Sequence, residues 1–60
     1  MNNKAFVREL TRAGCAFVKH GANHDVYVNA QTGKRAAVPR HPVIKDSLCE
    51  LIRKQLGLNR

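Results

Sequence analysis

Sixty residues carry 11 Lys and Arg against 4 Asp and Glu, a formal net charge of +7. A chain this short buries only about 60% of the surface its unfolded form exposes, which excludes a large enzyme with a deep pocket and points to one domain over residues 1–60. The 43% hydrophobic content suffices for a globular core and argues against disorder, and no apolar run approaches the roughly 18 residues of a membrane span. What remains is a small nucleic-acid binder, a minimal nuclease or a basic interaction module.

Asn3 is placed to cap a helix beginning at Lys4. Phe6, Val7, Leu10 and Ala13 recur at near-helical spacing, Lys4, Arg8, Glu9 and Arg12 supply the wet face, and Gly14 ends the helix, which is predicted over about 3–13. Cys15 to His20 reads as a strand stopped by Gly21. Its phase is ambiguous, because Phe17 and Val18 are adjacent and only one can face the helices. A second strand, His24 to Asn29, puts Val26 and Val28 on one face and Asp25 and Tyr27 on the other. Asn29 to Lys34 forms a hairpin loop with Gly33 available for a left-handed position, and Arg35 to Val38 makes a third strand that Pro39 closes or marks as an edge.

Arg40 to Lys45 is a linker punctuated by Pro39 and Pro42. Ser47-Leu48-Cys49-Glu50 fits a capping box, and Leu48, Leu51, Ile52, Gln55 and Leu56 follow helical spacing with only Gln55 polar. Gly57 ends this second helix, with Leu58 able to fold back as an apolar contact. The expected fold is α+β with order α-β-β-β-α: a three-stranded antiparallel sheet with both helices on one face. Cys15 and Cys49 belong to no C-x-x-C pair. No apolar export block follows Met1-Asn2-Asn3-Lys4, so the expected compartment is the reducing cytoplasm and both cysteines read as small buried hydrophobes.

Chemistry rests on few residues. His20 and His24 are four apart, but Gly21 argues against a helix there and no Cys or carboxylate cluster completes a set of ligands, so neither metal nor cofactor is expected. Gly21-Ala22-Asn23 is a tight turn, which puts His24 at the rigid start of a strand beside flexible backbone. An imidazole so held is either a solvated strand-end residue or a group that exchanges a proton as an RNA 2′-hydroxyl attacks its phosphate; cations that offset charge on the phosphorane make that reaction possible without metal. Lys19, Arg40 and Lys45 are the candidate cations, while His20 and His41 read as basic surface. So few acids leave most directions positive, which favours polyanions. Phe6 and Phe17 are needed by the core. Tyr27 is left as the one aromatic that can stack on a base or dock a partner on the open sheet face, so phosphate contact and shape dominate over base reading.

Together, Gly14, the strand end Lys19-His20-Gly21, Asn23-His24, the Thr32-Gly33 hairpin, Val38-Pro39 with its basic continuation, and the closing Lys54-Gln55-Leu56-Gly57-Leu58 resemble the HicA family of mRNA interferase toxins, over residues 6–58. That resemblance implies a double-stranded-RNA-binding-domain-like fold and ribosome-independent, metal-independent endoribonuclease activity on mRNA. It implies His24 as the catalytic residue, set by the Gly21-Ala22-Asn23 turn, and a HicB-type antitoxin that covers the toxin and masks that histidine. Ala22 departs from the family, where Gly or Ser is commoner, as does Cys15, where an aromatic is frequent. The competing expectations are a non-catalytic double-stranded-RNA-binding domain of the same topology and a plain interaction module for an acidic protein. Against the former, the start of the second helix reads Lys45-Asp46-Ser47, a carboxylate where such domains cluster lysines.

Overall fold

A computed structural model describes residues 1–58. Its elements run α1 (Asn3–Arg12), β1 (Cys15–His20), β2 (His24–Asn29), β3 (Arg35–Pro39) and α2 (Asp46–Gln55). The strands form one antiparallel sheet in the order β1-β2-β3, so the α-β-β-β-α expectation holds. No helix is long and apolar enough to cross a membrane among the described residues.

Both helix starts differ from the sequence reading. The cap of α1 is Asn2, whose Oδ1 accepts from the amides of Lys4 at 2.8 Å and Ala5 at 3.3 Å. Asn3 instead lies in the first turn and donates from Nδ2 to the Pro39 carbonyl at 2.8 Å, tying α1 to the end of β3. The Ser47–Glu50 capping box does not form. Lys45 occupies the cap position with no side-chain bond, so Ser47 is already helical and its hydroxyl is past the place from which it could cap. Asp46 in the first turn supplies the favourable charge instead.

The end of α2 follows expectation. Gly57 takes φ +75°, its amide donates to the Lys54 carbonyl at 3.0 Å, and the Leu58 amide donates to the Arg53 carbonyl at 2.8 Å. This pair of bonds is a Schellman closure, and Leu58 packs half-buried against the core as its apolar partner.

Phe6 and Leu10 from α1, Ile52 from α2, Leu56 at its C-cap and Val38 from β3 are essentially inaccessible to solvent. The buried stripe of α2 and its C-cap is Cys49, Ile52 and Leu56; Leu51 is half exposed and Gln55 is exposed, so the 48-51-52-55-56 stripe is rotated by part of a turn. Ile44, expected in a linker, is buried as well and donates its amide to the Met1 carbonyl at 2.7 Å. Cys15 and Cys49 are free thiols inside the core, and burial raises both pKa values.

The sheet faces are also reversed from expectation. Tyr27 is 8% exposed and faces the helices with its register partner Ala36, whose small side chain leaves room for the ring, while Val26 and Val28 line the uncovered face, half-buried. Phe17 is 47% exposed and Val18 37%, so neither is the core residue that the sequence required one of them to be. The pairing accounts for Val18, which is the extra residue of a β-bulge between Phe17, opposite Tyr27, and Lys19, opposite Val26; Phe17 is on the side of Tyr27 and still half exposed.

One buried polar side chain stands among the described residues. Asn29, 2% exposed, donates from Nδ2 to the Leu56 carbonyl at 2.8 Å and accepts the Gln31 amide on Oδ1 at 3.0 Å. Asn29→Ala leaves a buried carbonyl and an amide without partners and is expected to lower the unfolding free energy by about 2–3 kcal/mol in urea denaturation.

The helices are joined by Arg53, which donates to both carboxylate oxygens of Glu9, at 2.6 and 2.9 Å, and lies over the Phe6 ring at 5.3 Å. The Arg53 hydrogen bonds hold the Glu9 carboxyl below its ordinary value, against a smaller opposing push from burial. A carboxyl depressed on folding contributes stability that is present above its unfolded pKa and lost as pH falls through the folded one. Stability of the parent protein should therefore fall more steeply than that of Glu9→Gln as pH drops below about 4.5. Denaturation midpoints taken across that range check it, and parallel profiles would contradict it.

Candidate functional site

His24 is the first residue of β2 and is exposed. Strand alternation sets it on the uncovered face with Val26 and Val28, and its register partner is Pro39 of β3. The turn before it is closed by backbone: the Gly21 amide donates to the His24 carbonyl at 2.6 Å. A Cβ built on Gly21 would stand 2.8 Å from that same carbonyl oxygen, closer than side chains come to backbone. Glycine at 21 and the position of His24 are thus one geometric unit. Among the described residues the His24 ring takes no hydrogen bond, in contrast to His20.

The bulge at Val18 decides what surrounds this histidine. Without the extra residue, His20 would stand opposite His24 and Lys19 opposite Asp25. With it, His20 pairs with Asp25 and Lys19 with Val26, so Lys19 shares the uncovered face with His24 and His20 lies on the other side.

On that other side the turn is gripped by charges. His20 Nδ1 and Asp25 Oδ1 are 2.8 Å apart across the base of the turn. Arg40, just past β3, donates from Nε to the same Asp25 oxygen at 2.9 Å and from a terminal nitrogen to the Gly21 carbonyl at 2.5 Å. The His20 bond first, then those of Arg40, hold the Asp25 carboxyl below the usual aspartate value in spite of partial burial. The Phe17 ring packs at 4.7 Å from the His20 ring and edge-on at 5.9 Å from Tyr27. Tyr27 is removed from the surface, and its pKa is raised by burial and by the Asp25 charge. The exposed aromatic beside the turn is Phe17, not Tyr27.

The three candidate cations part company. Lys19 is on the face of His24. Arg40 is committed to Asp25 and Gly21. Lys45 is the exposed residue at the head of α2, outside the grooves near the turn. One groove of about 400 Å³ runs between Ala22 and Asn23 on one side and Arg40 and His41 on the other. A second, of about 370 Å³, continues from Arg40 and His41 to Asn2, Asn3, Lys4 and Pro42. The two grooves share Arg40 and His41, so Lys4 borders the second of two depressions that adjoin the turn. Spacing along the chain hides the nearness of Lys4, because Asn3 reaches Pro39 only in the folded protein. Among the described residues no three His, Cys, Asp or Glu side chains gather as metal ligands would.

No family model, curated protein or solved structure gives a significant match to this chain.

The closeness of Gly21 to His24 has a direct consequence. Gly21→Ala forces its new methyl group against the His24 carbonyl and should break the bond that closes the turn, lowering stability by about 1–3 kcal/mol. Denaturation together with amide spectra should place the disturbance at residues 20–25 and leave α1 and α2 as they are.

Proposed function

We propose that the protein is a small endoribonuclease acting on mRNA in the manner of HicA-type toxins, with His24 as the proton-transfer residue. One observation carries this reading: an exposed imidazole, without a hydrogen bond among the described residues, at the rigid head of β2, behind a turn that only glycine can close, on a chain of net charge +7. An imidazole exposed in this way can engage substrate, and a sheet holds its backbone still.

The chemistry follows from those parts. RNA is held by its phosphates on the positive surface, with Lys19 near the bound strand. His24 takes the proton from a 2′-hydroxyl, the 2′-oxygen bonds to the adjacent phosphorus, and the bond from phosphorus to the 5′-oxygen breaks. The products are a 2′,3′-cyclic phosphate and a 5′-hydroxyl, the latter receiving its proton from solvent or from the imidazolium. Cationic side chains offset the charge on the phosphorane, so the step needs no metal. An antitoxin of HicB type is the proposed partner. The uncovered sheet face, with Val26, Val28 and His24 side by side, offers it apolar ground on which to bind and mask the histidine.

Purified protein incubated with mRNA in EDTA should cleave it, leaving cyclic-phosphate ends, and His24→Ala should be slower by about 10²- to 10⁴-fold. Equal cleavage by both proteins removes His24 from the reaction. Tight duplex RNA binding that His24→Ala leaves unchanged, with no cleavage by the parent, assigns the chain instead to the non-catalytic double-stranded-RNA binders.

A further inference from the structure

The turn before His24 has almost no apolar packing to hold it, since Ala22, Asn23 and His24 are exposed and Gly21 has no side chain. Polar bonds hold it instead, and most of them converge on Arg40. Its backbone amide donates to the Asn23 carbonyl at 3.3 Å, its terminal nitrogen to the Gly21 carbonyl at 2.5 Å, and its Nε to Asp25 Oδ1 at 2.9 Å. Asp25 in turn meets His20 at 2.8 Å, so both ends of the turn are bound to one carboxylate and both of its flanks to one arginine.

Stability is a poor reason for such an arrangement. Arg40 is 45% exposed and His20 71%, and ion pairs this open contribute little to folding. What a planar guanidinium does well is fix direction, because two of its donors engage two acceptors at a set angle. Those acceptors are the residue that closes the turn and the residue that follows His24.

We infer that Arg40, anchored by Asp25, is a positioning residue for His24: it clamps the Gly21–Asn23 turn from the face opposite the imidazole and so sets where the ring stands against RNA. This role rests on the nuclease reading for its effect on cleavage, but the clamp itself has a readout apart from activity.

The experiment compares Arg40→Lys, Arg40→Gln and Asp25→Ala with the parent protein. Lysine keeps the charge but cannot span the carboxylate and the carbonyl together. Amide hydrogen exchange at Gly21 should accelerate by about tenfold or more in all three, while the Phe6 and Ile52 amides, in the core, stay protected. Single-turnover cleavage of an RNA oligonucleotide at saturation should slow by about 10- to 100-fold in Arg40→Lys. Affinity for the same oligonucleotide, measured with His24→Ala added to prevent cleavage, should stay within about twofold because the charge is retained. An unchanged Gly21 exchange rate overturns the clamp, as does Arg40→Lys cleaving at the parent rate. A loss seen only in affinity also overturns it, making Arg40 an RNA contact instead. Should the parent protein cleave no RNA, the nuclease reading falls, and Gly21 exchange still decides whether Arg40 holds the turn.

Discussion

The burial of Asn29 is the constraint on which the rest of the structure depends. Its side chain reaches the Leu56 carbonyl, at the C-cap of α2, and the Gln31 amide in the hairpin loop. Its backbone donates to the Lys34 carbonyl and accepts from the Thr32 and Gly33 amides, and it stands opposite Cys15 at the start of β1. One residue thus joins the hairpin loop, the first strand and the second helix. Because strand side chains alternate with period two, an inward Asn29 also forces Tyr27 inward and sends Val28, Val26 and His24 to the uncovered face. A one-residue slip would bury the histidine side of the strand and expose the tyrosine.

The same economy governs the helices. Two helices of ten residues cover only one face of the sheet, and the Glu9–Arg53 pair with Phe6 beneath it joins them on the outside of the core. Among the described residues no third layer covers the other face. That face is the ground on which the proposed chemistry and the proposed partner both rely. The polar cluster of His20, Asp25 and Arg40 sits at the base of the turn, and its bonds hold in place a segment that has almost no apolar packing.

Much of the fold is legible residue by residue. Gly14, Gly33 and Gly57 all adopt the left-handed backbone suggested by their places after a helix or within a loop, with φ of 95°, 76° and 75°. Strand bounds are legible because Gly21 and the Asn29–Lys34 loop interrupt pairing at fixed points. Helix caps are less so: Asn2 and Asn3 have the same chemistry, and only the bond from Asn3 to Pro39, 36 residues away, decides between them. The α2 stripe misleads because Leu51 fits the apolar series and yet stands half exposed, whereas the burial of Cys49 is as its small apolar character suggests.

For the candidate site, the sequence by itself determined that a glycine-led turn delivers a histidine to the head of a strand on a strongly positive chain. Those are local facts, set by backbone freedom and by charge. Only the tertiary structure decided which side chains surround it. The bulge at Val18 turns Lys19 toward the histidine and His20 away from it, and no periodicity announces an extra residue in a six-residue strand. Arg40 passes from a candidate phosphate contact to a ligand of Asp25 and Gly21 because β3 ends beside the turn, and that nearness comes from pairing across the sheet. Tyr27 and Phe17 exchange roles for the same reason: which of two aromatic rings is buried is settled by register and by helix cover, neither of which a single strand contains.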